Sequence, residues 1–330
     1  MYNSKNFNGK QFVNPVPTTV SKPGTFWNTI WEFMVGREQR VPARKIGPFT
    51  TDTQELKRTA SDKIRVTWFG HSSVLLEIEG KRFLTDPVWG SRSSPVNFAG
   101  PARFFAPTIP LQDLPPLDGV IISHDHYDHF DPVALKILSQ TGITFYVPLG
   151  VEQHFRNWQL PAGKVVSCDW GDTVSLPNGF NLYCTPARHF SGRGLKRNNT
   201  LWASWVITSP QYRVYYGGDS GYFPGFKEIG NTYGPFDLTL LEIGAYHENW
   251  GEIHMGPANA LQAHLDLKGK LLLPIHWGLF NLAFHAWTAP VEELVTLAQE
   301  QGVSLFLPVP GEPTILPEQN LNTNWWAAYK

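Results

Sequence analysis

The sequence predicts an α/β (α+β) fold in which mixed β-sheets are flanked by helices. From residue 64 onward, short apolar runs such as SVLLEI and FDLTLLEI follow one another, and such runs are typical of strands buried on one or both faces. Helical patterns lie between these runs, so strands and helices alternate along the chain. Side chains that bind metal ions come directly after several strands, which places a functional site at the strand ends.

The predicted strands are apolar runs taken in chain order. They are IRVTWF, SVLLEI, GVIIS, TFYVP, FNLYC, WASWVIT, RVYYGG, FDLTLLEI, KLLLPI and VSLFLPV. A helix is predicted at DPVALKILSQ, because Asp131 and Pro132 supply an N-cap and the first helical position. Two more helices are predicted at GPANALQAHLDL and TAPVEELVTLAQE, where Pro257 and Pro290 open the helical pattern.

Residues 1–62 differ in composition from the rest of the chain. They are rich in Pro, Lys, Asn and aromatic residues, and we expect an extension packed on a main domain of residues 63–330. Within TFWNTIWEFMVG, one helical face is predicted from apolar residues at helical spacing, namely Trp27, Ile30, Trp31 and Met34. Basic residues follow, at Arg37, Arg40, Arg44 and Lys45. Residues 25–45 could therefore contact an anionic membrane surface, or the apolar face could simply pack on the core.

The bulk composition narrows the class of protein. With 330 residues, of which 42% are hydrophobic and 17% charged, the chain is expected to be globular. The formal net charge of −1 provides no overall attraction for nucleic acid, so nucleic acid is not expected as the main partner. The sequence leaves the oligomeric state open.

Cysteine usage and hydropathy indicate a cytoplasmic location, which is compatible with peripheral contact with a membrane. Cys168 and Cys184 are too few for a disulfide framework and are expected to be buried thiols. The first residues contain no apolar signal-peptide region, and no run of the roughly 18 apolar residues that span a bilayer occurs.

The segment ISHDHYDHFD, at residues 122–131, concentrates ionisable side chains between a predicted strand and a predicted helix. In an extended loop, His124 and His126 lie two residues apart and point the same way, so both can bind one ion. Asp128 and His129, turned by the start of the helix, can reach a second ion. The H-x-H-x-D-H pattern therefore fits a two-metal site.

Three further candidate ligands each follow a predicted strand. His189 comes after FNLYC, Asp219 comes after RVYYGG, and His276 comes after KLLLPI. The expected division is His124, His126 and His189 for the first ion, Asp128, His129 and His276 for the second, and Asp219 for both.

The number and type of these donors indicate hydrolysis with two divalent metal ions. Seven donors exceed the four of a closed structural zinc site, so open coordination positions are implied. Two ions roughly 3.5–4 Å apart that share a water would supply a nucleophile at neutral pH. Imidazole and carboxylate ligands suit Zn²⁺, the favoured ion, and are also compatible with Mn²⁺ or Fe²⁺. Redox chemistry is disfavoured, because no additional cofactor motif is present.

These residues resemble the ligand motif of the metallo-β-lactamase superfamily. The diiron oxidoreductase branch of that family carries a glutamate where this chain has His126, so the chain is similar to the dizinc hydrolase branch. Residues 12–290 further resemble the N-acylphosphatidylethanolamine-hydrolysing phospholipase D group, through FVNPVPT, VTWFGHSSVLLEI, FLTDPVWGSRSSP, GPARF, LWASWVI, GGDSGYF, IGAY and IHWG. The resemblance implies a four-layer αβ/βα sandwich and the same seven metal ligands.

The resemblance also implies a reaction and a substrate. A metal-bridging hydroxide would attack the phosphorus of an N-acylphosphatidylethanolamine-like phospholipid and release phosphatidic acid and an N-acylethanolamine. Two alternatives stay open. The same metals could hydrolyse a lactone or another small-molecule ester, or an inert metal site could hold an anionic lipid or nucleotide.

Several other polar residues are candidates for supporting roles. His254, in GEIHMGP, matches a histidine near the active site of the resembling family, and with Asp128 and Asp219 it makes up the predicted catalytic set. Asp86 and His71 each follow a strand and could orient a ligand imidazole. Four cations that could meet a phosphate flank His189, at Arg188, Arg193, Lys196 and Arg197. No role is predicted for His154, His247, His264 or His285.

Overall fold

Two mixed β-sheets flanked by helices make up the fold, as the sequence predicts. The structure is a computed structural model, and it describes residues 2–20, 22, 24, 31–32, 35–59, 62–96, 98–161, 163–194, 196–247, 249–316 and 322–330.

The first sheet has seven strands in the order β13-β1-β2-β3-β4-β5-β6. They are β1 (Ile64–Gly70), β2 (Ser73–Ile78), β3 (Lys81–Thr85), β4 (Gly119–Ile121), β5 (Thr144–Pro148), β6 (Lys164–Cys168) and β13 (Thr314–Leu316). Pairing is antiparallel from β13 to β3 and parallel from β3 to β6, so the sheet is mixed.

The second sheet has six strands in the order β12-β11-β10-β9-β8-β7. They are β7 (Thr173–Ser175), β8 (Asn181–Thr185), β9 (Ser204–Thr208), β10 (Arg213–Tyr216), β11 (Leu238–Glu242) and β12 (Leu272–Ile275). Pairing is antiparallel from β7 to β10 and parallel from β10 to β12. Large apolar side chains of both sheets, such as Trp68, Phe83 and Trp205, are buried in one shared core, and each contributes about 1.5–3 kcal/mol.

Helices cover the sheets. They are α1 (Thr53–Lys57), α2 (Pro132–Leu138), α3 (Glu152–Asn157), α4 (Gly225–Tyr233), α5 (Gly256–Asp266) and α6 (Ala289–Gln301), with short 3-10 turns at Leu111–Asp113, Ser139–Thr141, Pro177–Gly179 and Trp325–Tyr329. Asp131 caps α2 as predicted, because its carboxylate accepts from the backbone N–H groups of Val133 and Ala134 at 3.0 and 3.3 Å. Leu135 of α2 and Phe155 of α3 pack with side chains of the first sheet, and α5 contacts β11 and α6.

Strand direction brings distant parts of the chain to one edge of the fold. Strands β1, β3 and β4 share a direction in the first sheet, and β8, β10, β11 and β12 share a direction in the second. Since strands that run the same way end at the same edge, the polar residues that follow them gather there. In chain order these residues are His71, Asp86, His124, His189, Asp219, Glu242 and His276.

The N-terminal arm, defined here as residues 2–20, lies on the main body. Phe12 is buried, and its backbone N–H donates to the Asn198 carbonyl at 2.9 Å. The Asn6 amide donates to Asp169 at 2.8 Å. Of the helical face predicted further on, Trp27, Ile30 and Met34 lie outside the described residues, whereas Trp31 is described and 64% exposed.

Some sequence predictions were wrong or incomplete. VSLFLPV forms only isolated bridges, from Leu305 to Leu272 and from Leu307 to Asn322. Helices α1, α3 and α4 were not predicted, since they span only 5, 6 and 9 residues, shorter than the stretches from which helical periodicity is recognised. Cys168 and Cys184 are buried free thiols, as expected. No helix among the described residues is long and apolar enough to cross a membrane.

Candidate metal centre

All seven predicted ligands converge at the edge where the two sheets meet, and they fall into two adjoining groups. One group of donors within 4.8 Å of one another is His124, His126, His189 and Asp219, and the other is His71, Asp128, His129 and His276. Each group contains the three residues that were expected to share one ion, with His71 as an additional neighbour, and the division of ligands stays a prediction.

In the first group, three imidazole nitrogens lie close together. His126 Nδ1 lies 2.8 Å from His124 Nε2 and 3.3 Å from His189 Nε2. Four ligands at the 2.0–2.1 Å typical of zinc–nitrogen bonds stand about 3.3 Å apart in tetrahedral geometry, so this spacing fits donors around one cation. The turn that follows, in which the His126 carbonyl accepts from the backbone N–H groups of His129 and Phe130, directs the next residues to the second group.

Asp219 lies between the two groups. Its Oδ2 is 3.8 Å from His124 Nε2 and 3.1 Å from His276 Nε2, and its Oδ1 is 3.2 Å from His129 Nε2. Asp128 Oδ2 lies 3.5 Å from His129 Nε2 and 3.3 Å from His276 Nε2. A single carboxylate therefore reaches donors of both groups, as required of a bridging ligand.

Among the described residues, several buried ligand atoms form ion-pair contacts of 3.1–3.2 Å but no hydrogen bond of good geometry. They are His129 Nε2, His276 Nε2 and Asp219 Oδ1. Buried polar atoms without a hydrogen bond are rare, because each costs about 1–3 kcal/mol. A pair of divalent cations would bind these atoms, so the residues present fit the group that the donor set implies.

The electrostatics of the cluster also suit a cation. Burial lowers the pKa of His124 and of His189 well below the usual range, so these imidazoles are neutral and offer lone pairs. Burial alone would raise the pKa of Asp219, but His129 and His276 hold it well below its usual range. Burial would likewise lower the pKa of His276, yet Asp219 and Asp128 raise it to about 10. The buried carboxylates therefore draw positive charge to this point.

Three residues in or beside the cluster have an unusual backbone conformation. His71, Asp86 and His276 have φ values of 53°, 32° and 62°, in the left-handed region that non-glycine residues seldom adopt. Such residues cost about 1–3 kcal/mol each and persist where packing fixes them. Behind His276, Trp277 stacks on Trp68 with ring centroids 5.3 Å apart, which holds the strand end in place.

Asp86 and His71 contact ligand side chains, as their positions after strands suggested. Asp86 Oδ2 lies 2.6 Å from His129 Nδ1, and its carboxylate also accepts from the Ser123 backbone N–H, the Ser123 hydroxyl and the Tyr216 hydroxyl. His71 Nε2 lies 3.0 Å from Asp128 Oδ2. These contacts orient the ligand side chains.

His254 is paired with a buried carboxylate that the sequence analysis did not single out. Glu242, the last residue of β11, is fully buried, and its Oε2 lies 2.6 Å from His254 Nδ1. Its Oε1 accepts from the backbone N–H groups of Ser220 and Met255, each at 3.1 Å. Burial raises the pKa of Glu242. The sequence does contain a signal for Glu242, because this residue stands at the end of an apolar run, as several other candidate residues do.

A cavity of about 350 Å³ opens above the donors. Its floor is formed by His126, Asp128, Asp219 and His276, with His254 beside them. Its apolar wall is formed by Val20, Phe190, Trp250, Ile253 and Leu282, and Arg197 also lines it. The arrangement offers a metal-binding floor, an apolar wall and one cation.

Comparison with known proteins is consistent with this geometry. Residues 81–277 match the family model of the beta-lactamase superfamily domain, which is more than half of the chain. The chain belongs to the metallo-β-lactamase superfamily.

Relatives within this superfamily include proteins with and without an assigned function. An uncharacterized protein of Mycobacterium tuberculosis is 45% identical over 287 residues, which cover 86% of this chain and 76% of that protein. The N-acyl-phosphatidylethanolamine-hydrolyzing phospholipase D 1 of Caenorhabditis elegans is 39% identical over 228 residues, covering 66% of this chain and 64% of that protein. Igni18, a metallo hydrolase from Ignicoccus hospitalis, has a similar fold, with a TM-score of 0.61 and 24% identity over 78% of this chain and all of that chain.

As a member of the metallo-β-lactamase superfamily, the chain is a metal-dependent hydrolase.

Of the four cations predicted to meet a phosphate, Arg197 is the one that lines the cavity. Arg188 instead forms an ion pair with Glu252 at 2.7 Å, and Arg193 donates to the carbonyls of Asp125 and Phe130 at 2.9 and 2.7 Å. The guanidinium groups of Arg188 and Arg193 therefore already have partners within the protein and hold loops together.

Proposed function

We propose that the chain is a dinuclear hydrolase, with zinc as the favoured ion, that cleaves the phosphodiester of N-acylphosphatidylethanolamine-like phospholipids. The observation that supports this most is the cavity, in which a floor of metal donors adjoins an apolar wall and Arg197. A phosphodiester that carries acyl chains presents an anionic centre beside hydrocarbon, and the cavity offers the complementary surfaces.

Two divalent ions held by the seven donors would activate water and polarise a phosphoryl oxygen. The protein's own residues have distinct tasks around them. Asp219 and Asp128 would bring negative charge to the ions, and Asp219 contacts donors of both groups and so holds them relative to each other. His254, oriented by Glu242, donates a proton to the leaving alkoxide, since it stands at the cavity beside His276, with ring centroids 5.3 Å apart.

The substrate assignment draws on two further features. One is the activity for which the Caenorhabditis elegans relative is named, a protein 39% identical to this chain over 228 residues. The other is Arg197, whose guanidinium carbon lies 5.2 Å from the centre of the Phe190 ring, so the cation is held at the cavity. A cation placed there attracts the phosphate, while Trp250 and Leu282 provide apolar surface for an acyl chain.

Contact with a membrane is part of the proposal, through residues 25–45. Among the described residues of that segment, Trp31, Val35 and Val41 expose 64%, 46% and 51% of their surface. Exposed apolar side chains followed by basic ones suit an anionic lipid surface. Flotation with anionic vesicles should carry the protein, and Trp31→Ser should reduce the bound fraction. Equal flotation of both proteins would contradict this contact.

The proposed function is tested by parallel turnover of a phospholipid and of lactones. The purified protein should release an N-acylethanolamine from N-acylphosphatidylethanolamine in mixed micelles, lose that activity on chelation and regain it with Zn²⁺. Turnover of a lactone panel without phosphodiester cleavage would favour a lactonase. Bound metal with no turnover of any ester would favour an anionic-ligand binding protein.

A matched pair of cations tests the recognition of phosphate. Arg197→Gln should raise KM for the anionic phospholipid several-fold, because Arg197 lines the cavity. Lys196→Gln removes the neighbouring exposed charge, which does not line that cavity, and should leave KM unchanged. An equal response of both variants would show only a general effect of surface charge.

A further inference from the structure

Asn14 of the N-terminal arm contacts the backbone of His189, one of the candidate metal ligands. Its Oδ1 accepts from the backbone N–H of His189 at 2.9 Å, and its Nδ2 donates to the backbone carbonyl of His189 at 2.7 Å. The two residues are 175 positions apart in the sequence. The amide thus binds both backbone polar groups of a single residue, as a neighbouring β-strand would.

His189 needs such support because its own segment lacks regular structure. Strand β8 ends at Thr185, and the described residues between it and β9 at Ser204 form no helix or strand. The His189 imidazole is fully buried, and its Nδ1 donates to the Ile253 carbonyl at 2.9 Å, which points Nε2 at His126. Side chain and backbone of His189 are therefore fixed by two different partners.

The residues that follow Asn14 strengthen the same contact. The backbone N–H groups of Gly251 and Glu252 donate to the carbonyls of Val20 and Thr19 at 3.1 and 2.9 Å. Arg188, next to His189, donates to the Pro17 carbonyl and the Thr18 hydroxyl at 2.8 and 3.0 Å. The arm therefore joins the His189 loop to the loop that carries Ile253.

We propose that Asn14 is a positioning residue for His189, through which the N-terminal arm sets the affinity of the first metal ion. The proposal rests on the proposed function, because it takes His189 as a ligand of that ion. Without the amide, the backbone of His189 loses two buried partners, and the loop can move the imidazole away from His124 and His126. Residues that orient metal ligands from outside typically contribute 10–100-fold in affinity.

The test compares two asparagines of the arm. Asn14→Leu removes both hydrogen bonds to His189 at similar volume. Asn6→Leu is the matched control, since Asn6 also anchors the arm by its amide, at 2.8 Å from Asp169, and touches no metal donor. Each protein is loaded with Zn²⁺ and titrated with a chelator, and the metal retained per chain is measured together with the thermal midpoint of the metal-free form.

We expect Asn14→Leu to release one of its two ions at a chelator concentration about 10-fold or more below that of the parent. Asn6→Leu should match the parent in metal retention, while the thermal midpoints of the two metal-free variants fall by similar amounts. Equal metal retention in Asn14→Leu and the parent, or equal loss in Asn6→Leu, overturns the proposal.

A second variant is needed in case a leucine side chain does not fit at position 14. Asn14→Ala removes the same two hydrogen bonds without added bulk and is judged by the same criterion. If neither variant folds while Asn6→Leu does, Asn14 serves folding and the proposal is overturned. If the parent itself retains no metal, the proposed function fails and this inference fails with it.

Discussion

Glu242 Oε2 lies 2.6 Å from His254 Nδ1, and this contact fixes which nitrogen of the imidazole can reach the cavity. Because Nδ1 donates to the carboxylate, Nε2 is left to exchange a proton with a substrate. Glu242 is itself fixed by the backbone N–H groups of Ser220 and Met255, so the pair is held rigidly.

Replacement of His254 should affect catalysis according to the leaving group. His254→Gln should lower kcat roughly 100-fold on a phospholipid, whose alkoxide leaving group needs a proton, in line with the usual contribution of a general acid. With a p-nitrophenyl phosphodiester, whose leaving group departs unprotonated, the loss should be small. Steady-state kinetics on both substrates provide the comparison.

Metal analysis is the control for that experiment. His254→Gln should retain the parent's metal content, because His254 Nδ1 is paired with Glu242 and His254 is not one of the seven proposed ligands. Equal losses on both substrates would mean that His254 does not act on the leaving group.

Asp86→Asn should weaken metal binding. The Asp86 carboxylate accepts from the Ser123 backbone N–H, from the hydroxyls of Ser123 and Tyr216, and faces His129 Nδ1. An amide replaces one acceptor oxygen by a donor, which weakens the hold on the imidazole of this proposed ligand, and we expect a 10–100-fold lower affinity. Isothermal titration of the metal-free protein with Zn²⁺ measures the change.

Asp131→Asn is the matched control for Asp86→Asn. The Asp131 carboxylate likewise accepts several hydrogen bonds, from the backbone N–H groups of Trp89, Gly90, Val133 and Ala134. None of these partners is a histidine. Its replacement should lower the free energy of unfolding by about 1–3 kcal/mol and leave zinc affinity intact. Equal zinc affinities for the two variants would remove the special role given to Asp86.

Asp219→Ala should nearly abolish activity without unfolding the chain. Asp219 reaches donors of both groups, so its loss frees the ions to change their separation. A displacement of about 1 Å at reacting atoms can lower a rate roughly 100-fold. Turnover and far-UV circular dichroism should show an inactive but folded protein, and an active variant would contradict a bridging role.

The convergence of the candidate donors was predictable from sequence because the segments that carry them follow apolar runs. In strands that share a direction, that position places a side chain at one common edge, so Asp219 and His276 could be predicted to meet His124 although they are far apart in the chain. Glu242 obeys the same rule and was overlooked because a single Glu at the end of a strand is common.

Asn14 could not be predicted in the same way. Its partner is the backbone of His189, and backbone groups leave no pattern in a sequence. The strand proposed for VSLFLPV was wrong for a related reason. Its apolar side chains pack in the core, as Leu305 and Phe306 do, and burial alone does not determine whether a run pairs as a strand.

Trp250→Ala should reduce the preference for substrates with long acyl chains. Trp250 lines the apolar wall of the cavity, so its removal lowers the apolar area available to a chain. kcat/KM should fall about 10-fold for a long-chain phospholipid, as expected for a loss of roughly 1.4 kcal/mol, and stay near the parent value for a short soluble phosphodiester. An equal fall for both substrates would place Trp250 outside acyl-chain recognition.

The central claim, that seven donors from four separate segments hold two cations, is tested most directly by anomalous diffraction at the zinc edge from crystals of the zinc-loaded protein. We expect two peaks roughly 3.5–4 Å apart, one among His124 Nε2, His126 Nδ1 and His189 Nε2, the other among Asp128, His129 and His276, with Asp219 between them. A single peak, or peaks at other residues with these donors left without metal, would contradict it.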